Sequence, residues 1–156
     1  MAQLDADATD VKILSVLQDD GRMSIVDVAK AVALSPTAVT RRIQRLEEEG
    51  VIRGYSARVD YGLLGWEMAA FVEVRFTGTT SADDMDRLAT TLPEASAAYT
   101  TAGHQDVLML VRATGVGHLR DVINRLRMTA GVIGTRTHVI LESNENEGWR
   151  PPDGGS

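Results

Sequence analysis

Residues 35–50 read SPTAVTRRIQRLEEEG, from Ser35 to Gly50. Ser35 suits an N-cap, Pro36 suits the first helical position, and Gly50 suits a left-handed C-cap. Between them Val39, Ile43 and Leu46 recur at i, i+4 and i+7, which predicts one apolar stripe on a helix. Thr37, Arg41 and Gln44 lie opposite that stripe, and Thr40 and Arg45 lie on its shoulders. Arg42 is nearest the stripe. Hydroxyl, amide and guanidinium groups of this kind bond phosphates and base edges in a major groove. Glu47, Glu48 and Glu49 oppose the helix dipole and repel DNA, so the N-terminal half is the expected contact end. Taken alone, the stretch also fits a solvated amphipathic helix, and its neighbours must decide.

Upstream, residues 5–20 read as a helix, capped by Asp5 or Asp7, with Val11, Ile13, Leu14 and Leu17 as its apolar side. Ser24 with Asp27 opens a second helix with a capping-box-like start. Ile25, Val28, Ala29 and Val32 form its buried side. A short turn at Ala33-Leu34 leads to Ser35. Two short helices, a tight turn and a capped third helix make a helix-turn-helix, winged-helix-like in outline. In that arrangement Ser35, Thr37, Thr40, Arg41, Arg42, Gln44 and Arg45 are the candidate DNA contacts. Residues 51–59 carry Val, Ile and Tyr and read as a strand, a wing or a linker, from which Arg53 and Arg58 reach phosphate.

After YGLLG at 61–65 the apolar period changes to two. Met68, Ala70, Val72, Val74 and Phe76 alternate with Ala69, Phe71, Glu73 and Arg75, as a strand with two different faces requires. A turn ending at Ser81, with Asp84 as box partner, opens a helix striped by Met85, Leu88, Ala89 and Leu92. Residues 95–102 and 107–113 read as strands, and Leu119, Val122, Ile123 and Leu126 mark a second helix. Residues 132–142 are the last strand. The order is βαββαβ, an α+β, ferredoxin-like module with both helices on one face of an antiparallel sheet. The other face then carries Ala69, Phe71, Leu108 and Leu110. An apolar sheet face does not stay in water, so a second copy is expected to cover it. The expected domains are 1–54 (helix-turn-helix), 55–65 (linking strand or hinge), 66–143 (ferredoxin-like) and 144–156 (a tail of disorder-like composition).

The 156-residue chain has 44% hydrophobic residues and a formal charge of −6. From Arg22 to Arg58, seven basic residues stand against four acidic ones, so this stretch carries +3 and the remainder −9. A locally basic patch on an acidic protein binds DNA when several copies act together, with strong salt dependence. No cysteine is present, which excludes disulfides and thiolate metal sites. The acidic N-terminus is not a signal peptide and no apolar run spans a bilayer, so a cytoplasmic protein with no membrane role is expected. His104 beside Asp106 invites a metal or acid–base reading. One histidine and one carboxylate in a turn are not a site, so neither a metal, a cofactor nor an enzyme is expected.

The chain resembles the Lrp/AsnC (leucine-responsive, feast/famine) family of transcriptional regulators. The resemblance rests on an ordered set of weak matches. These are Leu4-Asp5…Asp10…Ile13-Leu14, Leu34-Ser35-Pro36-Thr37, Arg41-Arg42 with Leu46-Glu47, and Gly50-Val51-Ile52…Gly54-Tyr55. Gly103…Asp106 and Thr135-Arg136-Thr137 follow in the second half. It implies a DNA-binding helix-turn-helix joined to a module that dimerises, often into tetramers or octamers, and binds a small effector, commonly an amino acid. It also implies an effector site formed by Thr101, Ala102, Gly103, His104 and Asp106 with Thr135 and Thr137. Asp106 would receive the ammonium and the Gly103 backbone the carboxylate. Asp106 equally reads as a turn aspartate that caps local N–H groups. Gln105 stands where the family usually has an aromatic residue, which points to a more polar or roomier pocket. The alternative function is a small-molecule enzyme or binding module without a DNA role, and residues 1–60 argue against it.

Overall fold

The computed structural model describes residues 6–78, 80–103 and 106–143. Leu4, Asp5, His104, Gln105 and the tail from Asn144 lie outside the described residues, as do the side chains of Met85 and Ala89. The described chain divides into two compact units, with the division between Arg58 and Val59.

The first unit holds α1 (Ala8–Asp19), α2 (Ile25–Ala31) and α3 (Pro36–Glu48). Asp7 caps α1 through a full capping box with Asp10, Ser24 caps α2 and Ser35 caps α3. Helix α3 ends as a Schellman motif. The N–H of Gly50 donates to the carbonyl of Glu47, that of Val51 to Leu46, and Gly50 has φ +71°. The stripe of Val39, Ile43 and Leu46 is buried, and Val39 and Ile43 pack with Ile13, Val28 and Ala29. Each such side chain contributes roughly 1.5–3 kcal/mol by leaving water.

The α2–α3 turn uses the same motif, with Ala33 at φ +56° and Leu34 N–H donating to Ala29. Left-handed backbone costs alanine energy that glycine does not spend. Ala33→Gly is therefore expected to raise the stability of this unit by about 0.5–1 kcal/mol, since relief of that strain exceeds the extra chain entropy. A lower midpoint in urea denaturation would contradict this.

Residues 51–59 form no strand, contrary to the sequence expectation of a wing or linking strand. A strand is stabilised by a ladder, and the described residues of this unit contain no other strand to pair with.

The second unit begins with a single 3-10 turn at Gly62–Leu64. It continues as β1 (Met68–Phe76), α4 (Ala82–Thr91), β2 (Ala95–Thr100), β3 (Val107–Ala113), α5 (Val116–Arg127) and β4 (Val132–Ile140). The sheet order is β2-β3-β1-β4, with every neighbouring pair antiparallel. The alternation in β1 is as the period-two pattern requires. Ala70, Val72, Val74 and Phe76 are buried in the core with Leu88, Leu119, Val122 and Leu126 of the two helices. On the other face Phe71 sits opposite Leu110, and Tyr99 opposite Leu108. Phe71 is 39% and Tyr99 57% exposed.

Candidate nucleic-acid interface and effector loop

Helix α3 presents two different sets of polar side chains. Thr37, Arg41 and Gln44 are exposed, as are Ser35 before the helix and Arg53 after it. Ser35 Oγ accepts the N–H of Ala38 at 3.2 Å and so is spent on the cap. Thr40 is half-buried and its hydroxyl donates to the carbonyl of Pro36 at 3.0 Å. Arg41 has no ion-pair partner among the described residues.

Arg42 and Arg45 point elsewhere, which corrects their place among the outward-facing arginines. Arg42 Nη1 donates to Asp10 Oδ1 at 2.7 Å and to Asp7 Oδ2 at 2.8 Å. Arg45 Nη2 donates to Asp10 Oδ2. Asp10 is fully buried, and its Oδ2 also accepts the N–H of Asp7 at 3.2 Å. A buried carboxylate requires cations and donors around it. The two arginines nearest the apolar stripe supply them, and their charge is spent inside the domain. The Arg42 guanidinium is held above its ordinary value by Asp10 and then Asp7. The Asp7 carboxyl is held below its ordinary value by the N–H of Asp10 and then by Arg42.

Asp10 was missed as a functional residue when the sequence was read, although a signal existed. It precedes Ile13, Leu14 and Leu17 by three, four and seven residues, so it occupies the apolar stripe of α1. A carboxylate there needs a partner from another helix.

In the second unit Asp106 acts as a strand cap. Its Oδ2 accepts the N–H of Phe76 at 2.7 Å, its own N–H donates to the carbonyl of Val74, and its carbonyl accepts the N–H of Thr101. Ala102 and Gly103 are exposed in the adjoining bend, and His104 falls outside the described residues. Thr135 and Thr137 stand opposite Val74 and Val72, on the helix-covered face of β4. Arg127 Nε donates to Thr135 Oγ1 at 2.9 Å. Strand β1 lies between β3, which follows Asp106, and β4. Two strand spacings, roughly 9–10 Å, therefore separate the two halves of the expected effector site within one chain.

A second buried carboxylate, Glu94, accepts from Arg125 Nη2 and lies 3.1 Å from His118 Nε2. Burial alone would raise its pKa, but Arg125 and His118 outweigh burial and hold the carboxyl below its usual range. The local sequence gives no hint of this, because both partners come from α5.

A helix-turn-helix with a free arginine on its third helix, followed by an antiparallel α+β module, defines a two-domain DNA-binding regulator. Residues 7–53 match the winged helix-turn-helix DNA-binding family and residues 69–149 the Lrp/AsnC ligand binding domain family. The leucine-responsive regulatory protein of Rhizobium meliloti is 36% identical over 144 residues, covering 90% of this chain and 92% of that one. A feast or famine regulatory protein from M. tuberculosis, solved with L-methionine, superposes with a TM-score of 0.86 at 33% identity, covering 93% of this chain and 99% of that one. A transcriptional regulator from Neisseria meningitidis, also in complex with L-Met, gives 0.84 at 29% identity over 90% and 92% of the two chains. The chain belongs to the Lrp/AsnC family. It is a helix-turn-helix transcriptional regulator with a ligand-binding domain, not an enzyme. No described helix is long and apolar enough to cross a membrane.

Proposed function

We propose that this regulator reads double-stranded DNA through the N-terminal half of α3 and answers to an amino acid bound between copies of its second unit. The observation that carries the DNA half is the division of labour on α3. Arg42 and Arg45 brace the helix against α1, and Thr37, Arg41 and Gln44 stay exposed on it. Arg41 is the base- or phosphate-reading cation. Thr37, Thr40, Gln44 and Ser35 surround it, and Arg53 adds a phosphate contact. The working form is a cytoplasmic homo-oligomer, at least a dimer and by family habit a tetramer or octamer. Dimeric helix-turn-helix units contact half-sites one helical turn apart or multiples of it.

Arg41→Ala is expected to weaken operator binding by about 1–3 kcal/mol while leaving the fold intact, because the side chain makes no internal ion pair. Gel retardation over a salt series checks this. Retardation equal to wild type at every salt concentration would remove Arg41 from the interface.

The effector half rests on Asp106 and on relatives solved with L-methionine. Asp106 uses one oxygen to cap Phe76 and has the other for a ligand's ammonium. The Gly103 backbone would hold the carboxylate, and Thr135 and Thr137 would come from a neighbouring copy. Ligand binding changes DNA affinity only if it favours one assembly over another. Asp106→Ala is expected to lose about 1.5–3 kcal/mol of effector affinity, the worth of a hydrogen bond to a charged group. Calorimetric titration with L-methionine and L-leucine, run beside DNA retardation, measures both functions. Full affinity and full response in the variant would leave Asp106 as a turn residue only.

A further inference from the structure

Residues 61–66 lead from the division between the units into β1, and they wall a cavity of about 290 Å³ together with the start of β2 and the end of β3. Its lining includes Tyr61, Trp66, Pro93, Glu94 and Arg112. Taking about 30 Å³ as the share of one water, this is room for roughly ten waters, the scale of a small metabolite rather than of a packing defect. Two of the lining residues carry buried polar atoms with no hydrogen-bond partner: Glu94 Oε2 and Arg112 Nε. Glu94 is only 8% exposed, and its two donors, Arg125 and His118, both address Oε1. The Arg112 guanidinium lies 4.1 Å over the Tyr61 ring, which fixes its plane without satisfying its N–H groups. The Trp66 ring stands 5.8 Å from the His118 ring, beside the same carboxylate.

Buried polar groups left unpaired cost free energy and mark places where something else completes them. Glu94 Oε2 requires a donor and Arg112 Nε requires an acceptor. A simple cation would leave the arginine unmet, and a simple anion would face Glu94. A zwitterion serves both, with an ammonium toward Glu94, a carboxylate toward Arg112, and an apolar side chain against Tyr61, Trp66 and Pro93. We propose that this cavity is a second amino-acid site, contained within one chain and separate from the Asp106 loop. It would tie residues 61–66, the segment that joins the two units, to the sheet. Occupancy then restrains the segment through which the DNA-binding unit is attached, a direct means of regulation that needs no change in assembly.

The chain has two tryptophans, Trp66 and Trp149. In full-length protein carrying Trp149→Phe, Trp66 alone reports on the cavity. Titration with L-methionine and then the other amino acids is expected to give a saturable change in Trp66 emission for at least one with an apolar side chain. The change persists in Asp106→Ala and weakens at least tenfold in Glu94→Gln. Ser96→Phe fills the cavity from its rim and keeps the Glu94 contacts with Arg125 and His118. It is expected to abolish the response, and it decides the matter if Glu94→Gln fails to fold. No Trp66 response to any of the twenty amino acids overturns the proposal, as does a response that survives Ser96→Phe or disappears in Asp106→Ala. Calorimetry on Asp106→Ala reports on the loop separately, so failure of one site is distinguishable from failure of the other.

Discussion

Replacing both Arg42 and Arg45 with alanine is expected to unfold the helix-turn-helix unit before its DNA binding can be measured. Asp10 is fully buried, and these two arginines are its cationic partners. Stripping the partners from a buried charge costs about 3–5 kcal/mol. Globular domains have only about 5–15 kcal/mol in total, and small ones sit at the low end. The arginines themselves are less demanding, because their side chains are 25% and 42% exposed and reach water. The asymmetry gives a rescue. Adding Asp10→Leu to the double variant removes the stranded carboxylate and is expected to restore much of the stability. Urea denaturation followed by circular dichroism on the full chain checks both variants. If the double variant unfolds at the wild-type midpoint and loses only DNA affinity, the arginines belong to the DNA interface and not to the fold. Acid acts on the same cluster through Asp7. Its folded-state pKa is lowered, so its contribution is complete above the unfolded value and is lost as pH falls through the folded one.

Arg41, Arg42 and Arg45 show what the sequence can and cannot say. The helix, its cap at Ser35, its Schellman end at Gly50 and its buried stripe are all local, and local patterns predict them. Which arginines face outward is not local. It depends on Asp10, thirty-two and thirty-five residues away, and the helical wheel of α3 alone cannot include that partner. The second unit divides in the same way. Period-two alternation set both faces of β1 and the helix stripes set the core, so the βαββαβ order and the open face could be read directly. The strand expected at 51–59 failed because β-propensity records only a side-chain preference, and pairing needs a neighbour. The effector site is legible only as a resemblance. Within one chain its two halves sit on opposite sides of β1, so a pocket uniting them has to be built by more than one copy. Glu94 gave no signal at all, since Arg125 and His118 reach it only after α5 has packed.

Phe71→Asp is expected to convert the assembled protein to monomers. Phe71 lies at the middle of β1 on the face without helices, with Leu110 opposite it on β3 and His138 opposite it on β4. Tyr99 and Leu108 continue the apolar surface toward the β2 edge. A second copy covering this face by a two-fold axis buries Phe71 twice. Burial of a phenylalanine is worth roughly 1.5–3 kcal/mol, so the pair supplies about 3–6 kcal/mol. Every 1.4 kcal/mol is tenfold, which puts the loss in dimer affinity at about 10²–10⁴ before the cost of burying two like charges is added. Light scattering at micromolar concentration reads the result directly. DNA retardation should fall with it, because two linked half-site contacts become two independent weak ones. Met128→Asp is the control, since that side chain is 86% exposed at the end of α5 and not on the open sheet face. A Phe71→Asp protein that remains dimeric would show that copies meet elsewhere. Dissociation to monomers by Met128→Asp as well would show that added charge, not the sheet face, is responsible.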